Sequence, residues 1–270
     1  MTQRRLVWFL AAAALGACGN EAPGTAGNGG AGGGGGAGGG AGGTGGSSAG
    51  ADYFPFKLGN RWEYLVTDLQ GFSHHKLNTV VRLEMVGGTG PNANLMAFRT
   101  ETLQQDPVSP DATISWQAVD GGKLVRYREQ SCKAGSLKMN GDLVESCLPN
   151  EEDHWAPYRV RLDQRPNQQA WTVGLKWDET FMEWKTTYSY KIDPMMPTKI
   201  DAMATQTEKW EILALGATVM APVGEVKNCA VVKKTASTGV PKQYTFCAGV
   251  GKVIEDGAGQ TEKLTAYSLK

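Results

Sequence analysis

From residue 52 onward the chain alternates apolar and polar positions in short segments separated by turn residues. Residues 62–66, 80–86, 95–100, 114–119 and 124–128 carry the pattern in the first half, and 181–192, 205–215, 226–233, 243–247 and 264–269 in the second. Gly87-Gly88, Asp120-Gly121-Gly122 and Gly249-Val250-Gly251 punctuate it. A period of two over segments this short predicts half-buried strands in an antiparallel sheet with one solvated face. No run of ten or more residues shows a helical period. The fold class is therefore all-β: a strongly curved antiparallel sheet or an open or half β-barrel.

The pattern also echoes itself. Phe56-Lys57-Leu58-Gly59-Asn60-Arg61-Trp62-Glu63 reads like Trp171-Thr172-Val173-Gly174-Leu175-Lys176-Trp177-Asp178, at an offset of 115 residues. Each is aromatic, polar, aliphatic, Gly, any, basic, Trp, acidic. A turn at the glycine would deliver a long strand whose Trp faces the core. On this reading the domain holds two related halves, the second beginning near Asn167; a chance match of eight residues is the alternative.

The first fifty residues are of a different kind. They hold 19 of the 36 glycines. Arg4 and Arg5 precede the apolar run at residues 6–15, which is too short to span a bilayer and suits an export signal. The run ends in Leu15-Gly16-Ala17-Cys18, which resembles the lipobox of bacterial lipoproteins. The resemblance implies cleavage before Cys18 and lipidation of its thiol. An ordinary signal peptide with a chance cysteine is the bland alternative, and Arg4-Arg5 also admits a twin-arginine route. Gly19 in place of an inner-membrane retention Asp implies, by the same analogy, the outer membrane. Residues 19–50 are almost all Gly, Ala, Ser, Thr and Asn, a composition that cannot offset its ordering entropy. As a flexible coil such a segment has a span of roughly 30 Å. The expected organisation is a signal peptide at 1–17, a lipidated cysteine with a disordered Gly-rich tether at 18–50, and one β-domain at 51–270.

Within that domain, Tyr53-Phe54-Pro55-Phe56-Lys57-Leu58-Gly59-Asn60-Arg61-Trp62-Glu63-Tyr64 resembles the opening of a group of periplasmic lipoproteins of Gram-negative bacteria. Ala221-Pro222-Val223-Gly224-Glu225-Val226-Lys227-Asn228-Cys229 and Ala248-Gly249-Val250-Gly251-Lys252-Val253 match its C-terminal half. The resemblance implies a shape similar to the curved sheets of periplasmic lipoprotein carriers, and it implies no activity.

Charge narrows the partners. Lys plus Arg equals Asp plus Glu at 27 each, so there is no basic excess of the kind nucleic-acid binders carry. Four cysteines besides Cys18 form an even set suited to an oxidising compartment. Three pairings exist. Proximity favours Cys132 with Cys147, closing a turn-rich loop, and Cys229 with Cys247, joining two strands. A zinc site is the alternative, but no Cys-x-x-Cys spacing occurs.

Catalytic and metal chemistry find little support, and neither a catalytic residue nor a cofactor is expected. There is no Gly-x-Ser-x-Gly and no His-Glu-x-x-His. Glu151-Glu152-Asp153-His154 is the densest group of possible ligands or acid–base residues and reads as a solvated acidic loop; a hydrolase built on it is a minor alternative. His74-His75 reads as a surface turn. Trp62, Trp116 and Trp210 read as core. Trp155, Trp171, Trp177 and Trp184 cluster in the middle of the chain and are candidates for ligand contact, by stacking on sugar rings or lining an apolar cleft; filling between sheet and loops is the alternative.

These observations predict a non-enzymatic lipoprotein of the cell envelope, anchored to the membrane through its N-terminal lipid. Its β-domain would bind a hydrophobic ligand or an envelope protein. The alternative is a glycan- or peptidoglycan-binding lipoprotein using the middle tryptophans.

Overall fold

The computed structural model describes residues 52–106, 111–166, 169–191 and 196–270. The expected signal peptide, Cys18 and the Gly-rich tether lie outside the described residues. Fourteen strands account for most of what is described. They are β1 (Arg61–Asp68), β2 (Ser73–Met85), β3 (Met96–Gln105), β4 (Asp111–Asp120), β5 (Lys123–Cys132), β6 (Lys138–Asn140) and β7 (Leu143–Ser146). β8 (Pro149–Asp163), β9 (Lys176–Ser189), β10 (Thr198–Ala221), β11 (Gly224–Thr235), β12 (Pro241–Cys247), β13 (Gly251–Gly257) and β14 (Gln260–Ser268) complete the set.

All-β is the observed class, and the curved sheet closes on itself. Twelve strands pair in the order β1-β14-β13-β12-β11-β10-β9-β8-β5-β4-β3-β2, and β2 returns to β1. Every neighbouring pair is antiparallel, and β1 locks to β14 from Arg61↔Ser268 to Asp68↔Gln260. Each of these strands has a hydrogen-bonded neighbour on both sides, so none is an edge strand. The register shifts that curvature requires are most frequent in two ladders, β10–β11 at Ile212/Ala214, Ala214/Ala217 and Ala217/Val219, and β5–β8 at Leu124/Val125, Arg126/Arg128 and Ser131/Cys132. An eight-strand barrel is just filled by its own side chains; twelve strands enclose more space than inward residues alone occupy.

The eight-residue echo is a structural repeat. Gly59 and Gly174 both adopt left-handed φ, +82° and +84°. Gly59 N–H donates to Val80 O and Gly174 N–H to Ile212 O, each at 2.8 Å. Asn60 N–H reaches back to Lys57 O and Leu175 N–H to Thr172 O, each at 3.1 Å. The same turn thus launches β1 and β9, the first strands of two six-strand halves, and sends Trp62 and Trp177 inward.

These two turns also fill one end of the lumen. Tyr53 stacks on Trp171 at 4.8 Å, Phe54 packs against Trp62 and Phe246, and Phe56 meets Phe98 edge-on. Gly249 N–H donates to Asp52 O, and Trp62 Nε1 to Val250 O at 2.7 Å, pinning the segment to the barrel wall. With Trp177, Trp210, Ile212, Val232 and Leu264 they make the main core.

A second, smaller core lies outside the barrel. The β6–β7 hairpin is inserted between β5 and β8 and covers the outer face of β2–β5, with Val144 packed over Leu77, Ala97, Ile114 and Trp116. Arg99 and Glu101 reach the Val144 carbonyl and amide, at 3.0 and 2.7 Å. The Cys132–Cys147 disulfide closes the base of this insertion, and Cys229–Cys247 joins directly opposed residues of β11 and β12. Both pairings are those the spacing favoured.

Two local expectations are corrected. His74 and His75 are part of β2 rather than a surface turn, and His74 Nε2 lies 2.6 Å from Gln104 Oε1 on β3. Glu151-Glu152-Asp153-His154 is part of β8 rather than a solvated loop, with Glu152 and His154 buried. Charged residues hide this strand from a search for alternation, because the ion pairs that compensate their burial come from distant segments.

Candidate functional site: a charged cavity inside the barrel

Beyond the aromatic plug the lumen holds a cavity of about 580 Å³. That size falls in the range of small-molecule sites. Its lining divides into two chemically distinct parts. Phe54, Phe56, Trp62, Tyr64, Tyr244 and Phe246 form an aromatic surface, with Trp210, Tyr244 and Phe246 stacked in series behind and along it. The rest is polar. Seven Lys and Arg side chains line the cavity against three Glu.

In one group every charge has a partner. Lys252 Nζ lies 2.5 Å from Glu255 and 2.6 Å from Glu262; Lys242 pairs with Glu255 at 2.8 Å and Lys76 with Glu262 at 2.6 Å. The Lys252 ammonium also sits 4.8 Å from the centre of the Tyr64 ring. Burial opposes the charge on Lys252, but Glu255 and Glu262 outweigh it and raise its pKa. Burial likewise opposes both carboxylates, yet Lys252 with Lys242 and Lys76 holds Glu255 well below the usual range, and Lys252 with Lys76 lowers Glu262. Lys76 is lowered to about 8, first by burial and then by the neighbouring Lys252.

The second group is not balanced. Arg126 on β5, Arg159 and Arg161 on β8 and Lys234 on β11 line the cavity together. Glu208 on β10 takes both Arg159 and Lys234, each at 2.7 Å, and Glu129 takes Arg126. No carboxylate of the described residues pairs with Arg161, and the buried Nε of Arg126 has no hydrogen-bond partner. Burial, then the nearby Arg161, lowers Arg126 to about 9; burial and Arg159 lower Lys234 well below its ordinary value. Asp153 and Glu183 stand near Arg126 and Arg159, but burial raises Asp153 to about 7.

The four tryptophans singled out in the sequence lie apart from this lining. Trp155 is fully buried, its Nε1 donating to Glu183 at 2.9 Å, and its ring carries the Arg159 and Arg126 guanidinium groups at 5.5 and 5.9 Å. It supports the arginines from behind. Trp171 is capped by Tyr53 and donates to Asp163 O, and Trp177 stacks on Trp210 at 5.8 Å; both are core. Trp184 is half-buried and points outward, since Asp178 and Thr180 on the same face of β9 are exposed. The structure therefore does not bring the four together as a stacking surface.

Glu152 and His154 form a third arrangement on the outside of the barrel. His154 Nε2 lies 2.6 Å from Glu152 Oε1, Arg128 is 3.1 Å from the same oxygen, and Tyr188 OH donates to Oε2 at 3.2 Å. Burial opposes the charge on Glu152, but His154 and Arg128 outweigh it and hold its pKa at about 2. The loop through Gly88 and Gly90 lies directly over the imidazole: a Cβ on Gly90 would come within 2.3 Å of His154 Nδ1. Glu151 faces away and pairs with Lys185. Among the described residues no three His, Cys, Asp or Glu side chains converge as metal ligands.

The cavity cations escaped the sequence reading because lone Lys and Arg on strands read as solvated. A signal was present. Lys234 follows Val232 by two residues, Lys242 precedes Tyr244 by two and Glu208 precedes Trp210 by two, which places each charge on the face its core neighbour buries.

The fold and site define a closed twelve-strand antiparallel barrel with a mixed aromatic and cationic lumen. No protein-family model matches the chain, and no curated protein matches it. It is similar to the crystal structure of a Bacteroides fragilis NCTC 9343 protein with a YmcC-like fold, at a TM-score of 0.45 and 11% identity over 81% of this chain and 99% of that one. A likeness that distant carries no function across.

Proposed function

We propose that this chain is a non-enzymatic lipoprotein of the bacterial cell envelope, anchored through Cys18, whose barrel holds a small ligand in its lumen. The observation that carries the reading is the cavity of about 580 Å³ inside a barrel with no open sheet edge. The cavity presents aromatic and charged side chains inward, where a ligand would meet them. The address rests on the apolar run at 6–15, the lipobox-like Leu15-Gly16-Ala17-Cys18 and the two disulfides. The Gly-rich stretch at 19–50 would give the barrel reach from the membrane. The non-enzymatic reading is supported by the state of the most reactive groups: all four domain cysteines are paired, and Glu152 and His154 are bonded to each other beneath the loop through Gly88 and Gly90. A glycan reading has less support, because Trp155, Trp171 and Trp177 are enclosed by protein.

Two measurements test it. Fractionation of cells expressing wild type and Cys18→Ala should move the protein from the membrane to the periplasmic fraction; a variant that stays in the membrane refutes the lipid anchor. Native mass spectrometry of the full-length Cys18→Ala chain should show a retained mass of several hundred daltons. A bare polypeptide mass that no added small molecule shifts refutes the lumen site.

A further inference from the structure

We propose that the lumen selects an anionic amphiphile, its carboxylate or phosphate head seated among Arg126, Arg159, Arg161 and Lys234 and its apolar body lying on the aromatic surface. The inference rests on the lumen-binding reading above and adds the chemistry of the ligand. Its basis is the asymmetry between the two charged groups that line the cavity. Around Lys252 each carboxylate meets two ammonium groups and the set is closed by short ion pairs. Around Arg161, Glu129 pairs with Arg126 and Glu208 with Arg159 and Lys234; Asp153 and Glu183 stand near without pairing any of the four, and Arg161 is left without a carboxylate partner among the described residues.

Arg161 is the residue that distinguishes a ligand seat from a buried structural network. It is half-buried, lines the cavity, and has no ion pair or hydrogen bond with the described residues. Its charge is felt by Arg126, by Lys234 and by the Tyr244 phenol, with which it lines the same cavity. Guanidinium is the side chain best suited to a planar or tetrahedral oxyanion, because its fork of N–H groups engages two oxygens at once. Arg126 adds the unpartnered Nε, on a side chain held by Glu129 and the Trp155 ring. Like charges crowded in a low-dielectric lumen raise the affinity for an anion and discriminate against a neutral molecule of the same shape. The aromatic half supplies what a free inorganic ion would not use. Phe54, Phe56, Trp62 and Phe246 offer apolar surface next to the cations, so head and body are recognised together.

The test compares four probes on the full-length Cys18→Ala chain by isothermal titration calorimetry: decanoate, decyl phosphate, 1-decanol and inorganic phosphate. Decanoate or decyl phosphate is expected to bind about tenfold or more tightly than 1-decanol, and inorganic phosphate more weakly than decyl phosphate. Arg161→Gln is expected to weaken the charged amphiphile about tenfold and to leave 1-decanol within about twofold, whereas Arg161→Lys, which keeps the charge and loses the fork, recovers only part of that loss. Because Arg161 has no partner among the described residues and repels Arg126 and Lys234, its substitution should not lower the melting temperature, which separates a binding loss from misfolding. Equal binding of decanoate, decyl phosphate and 1-decanol, or indifference to Arg161→Gln, overturns the anion seat while the lumen site stands. Inorganic phosphate binding as tightly as decyl phosphate overturns the amphiphile. Failure of all four probes overturns this inference, and the lumen site itself falls only if native mass spectrometry also shows no retained molecule.

Discussion

Lys252→Met removes one positive charge from a buried ion network of the barrel and leaves a side chain of similar length. Lys252 is 9% exposed at its side chain, Glu255 8% and Glu262 2%, with contacts of 2.5 and 2.6 Å. Breaking a buried pair by deleting one partner costs about 3–5 kcal/mol, because the remaining charge loses its compensation. Here each glutamate keeps one cation, Lys242 for Glu255 and Lys76 for Glu262, so the lower end applies, about 3 kcal/mol at pH 7. In a domain of this size that corresponds to about 6–12 °C in melting temperature. The pH dependence has a definite sign. Glu255 and Glu262 have pKa values held below their unfolded values by the lysines, so they stabilise the fold above the ordinary carboxylate range and lose that contribution as pH falls through it. Without Lys252 both pKa values rise, and the stabilising contribution shrinks. The difference between wild type and variant should therefore be largest at neutral pH and narrow below about pH 4.5. Urea unfolding followed by tryptophan fluorescence, with disulfides intact, measures both. Adding Glu255→Gln to Lys252→Met should recover part of the loss, the signature of a coupled pair. A cost below about 1 kcal/mol at neutral pH, or one that does not change with acid, would show that water screens this network and would refute the reasoning.

Two further outcomes are expected. Gly90→Ala should destabilise the fold by about 1–3 kcal/mol, because its Cβ would meet the His154 ring at 2.3 Å from Nδ1; His154→Ala in the same chain should recover part of that loss in a double-mutant cycle by thermal melting. Replacing both Cys229 and Cys247 by Ala should cost about 3 kcal/mol in urea unfolding, since the bridge closes a separation of 18 residues in the unfolded chain.

What local sequence determined is what short-range physics controls. Alternation at Trp62, Tyr64 and Val66 needs only the pleat of a strand, and the observed burial follows it. The repeat was legible because left-handed turns at Gly59 and Gly174 are set by a few adjacent residues. The pairings Cys132–Cys147 and Cys229–Cys247 followed from short loops.

Tertiary structure decided the rest, because it depends on residues far apart in the chain. Closure joins β1 to β14 across nearly the whole domain, and no local period distinguishes a closing sheet from an open one. Strand β8 was hidden because Glu152 and His154 are compensated by Arg128 from β5 and by a loop from between β2 and β3. Trp155, singled out as a ligand contact, became a support for two arginines once the barrel brought β5 and β8 side by side. The cavity exists for the same reason. Arg126, Arg159 and Arg161 are unremarkable as sequence, and only the closed wall gathers them with Lys234 around one volume. Burial and mutual repulsion there give them a chemistry that none has alone.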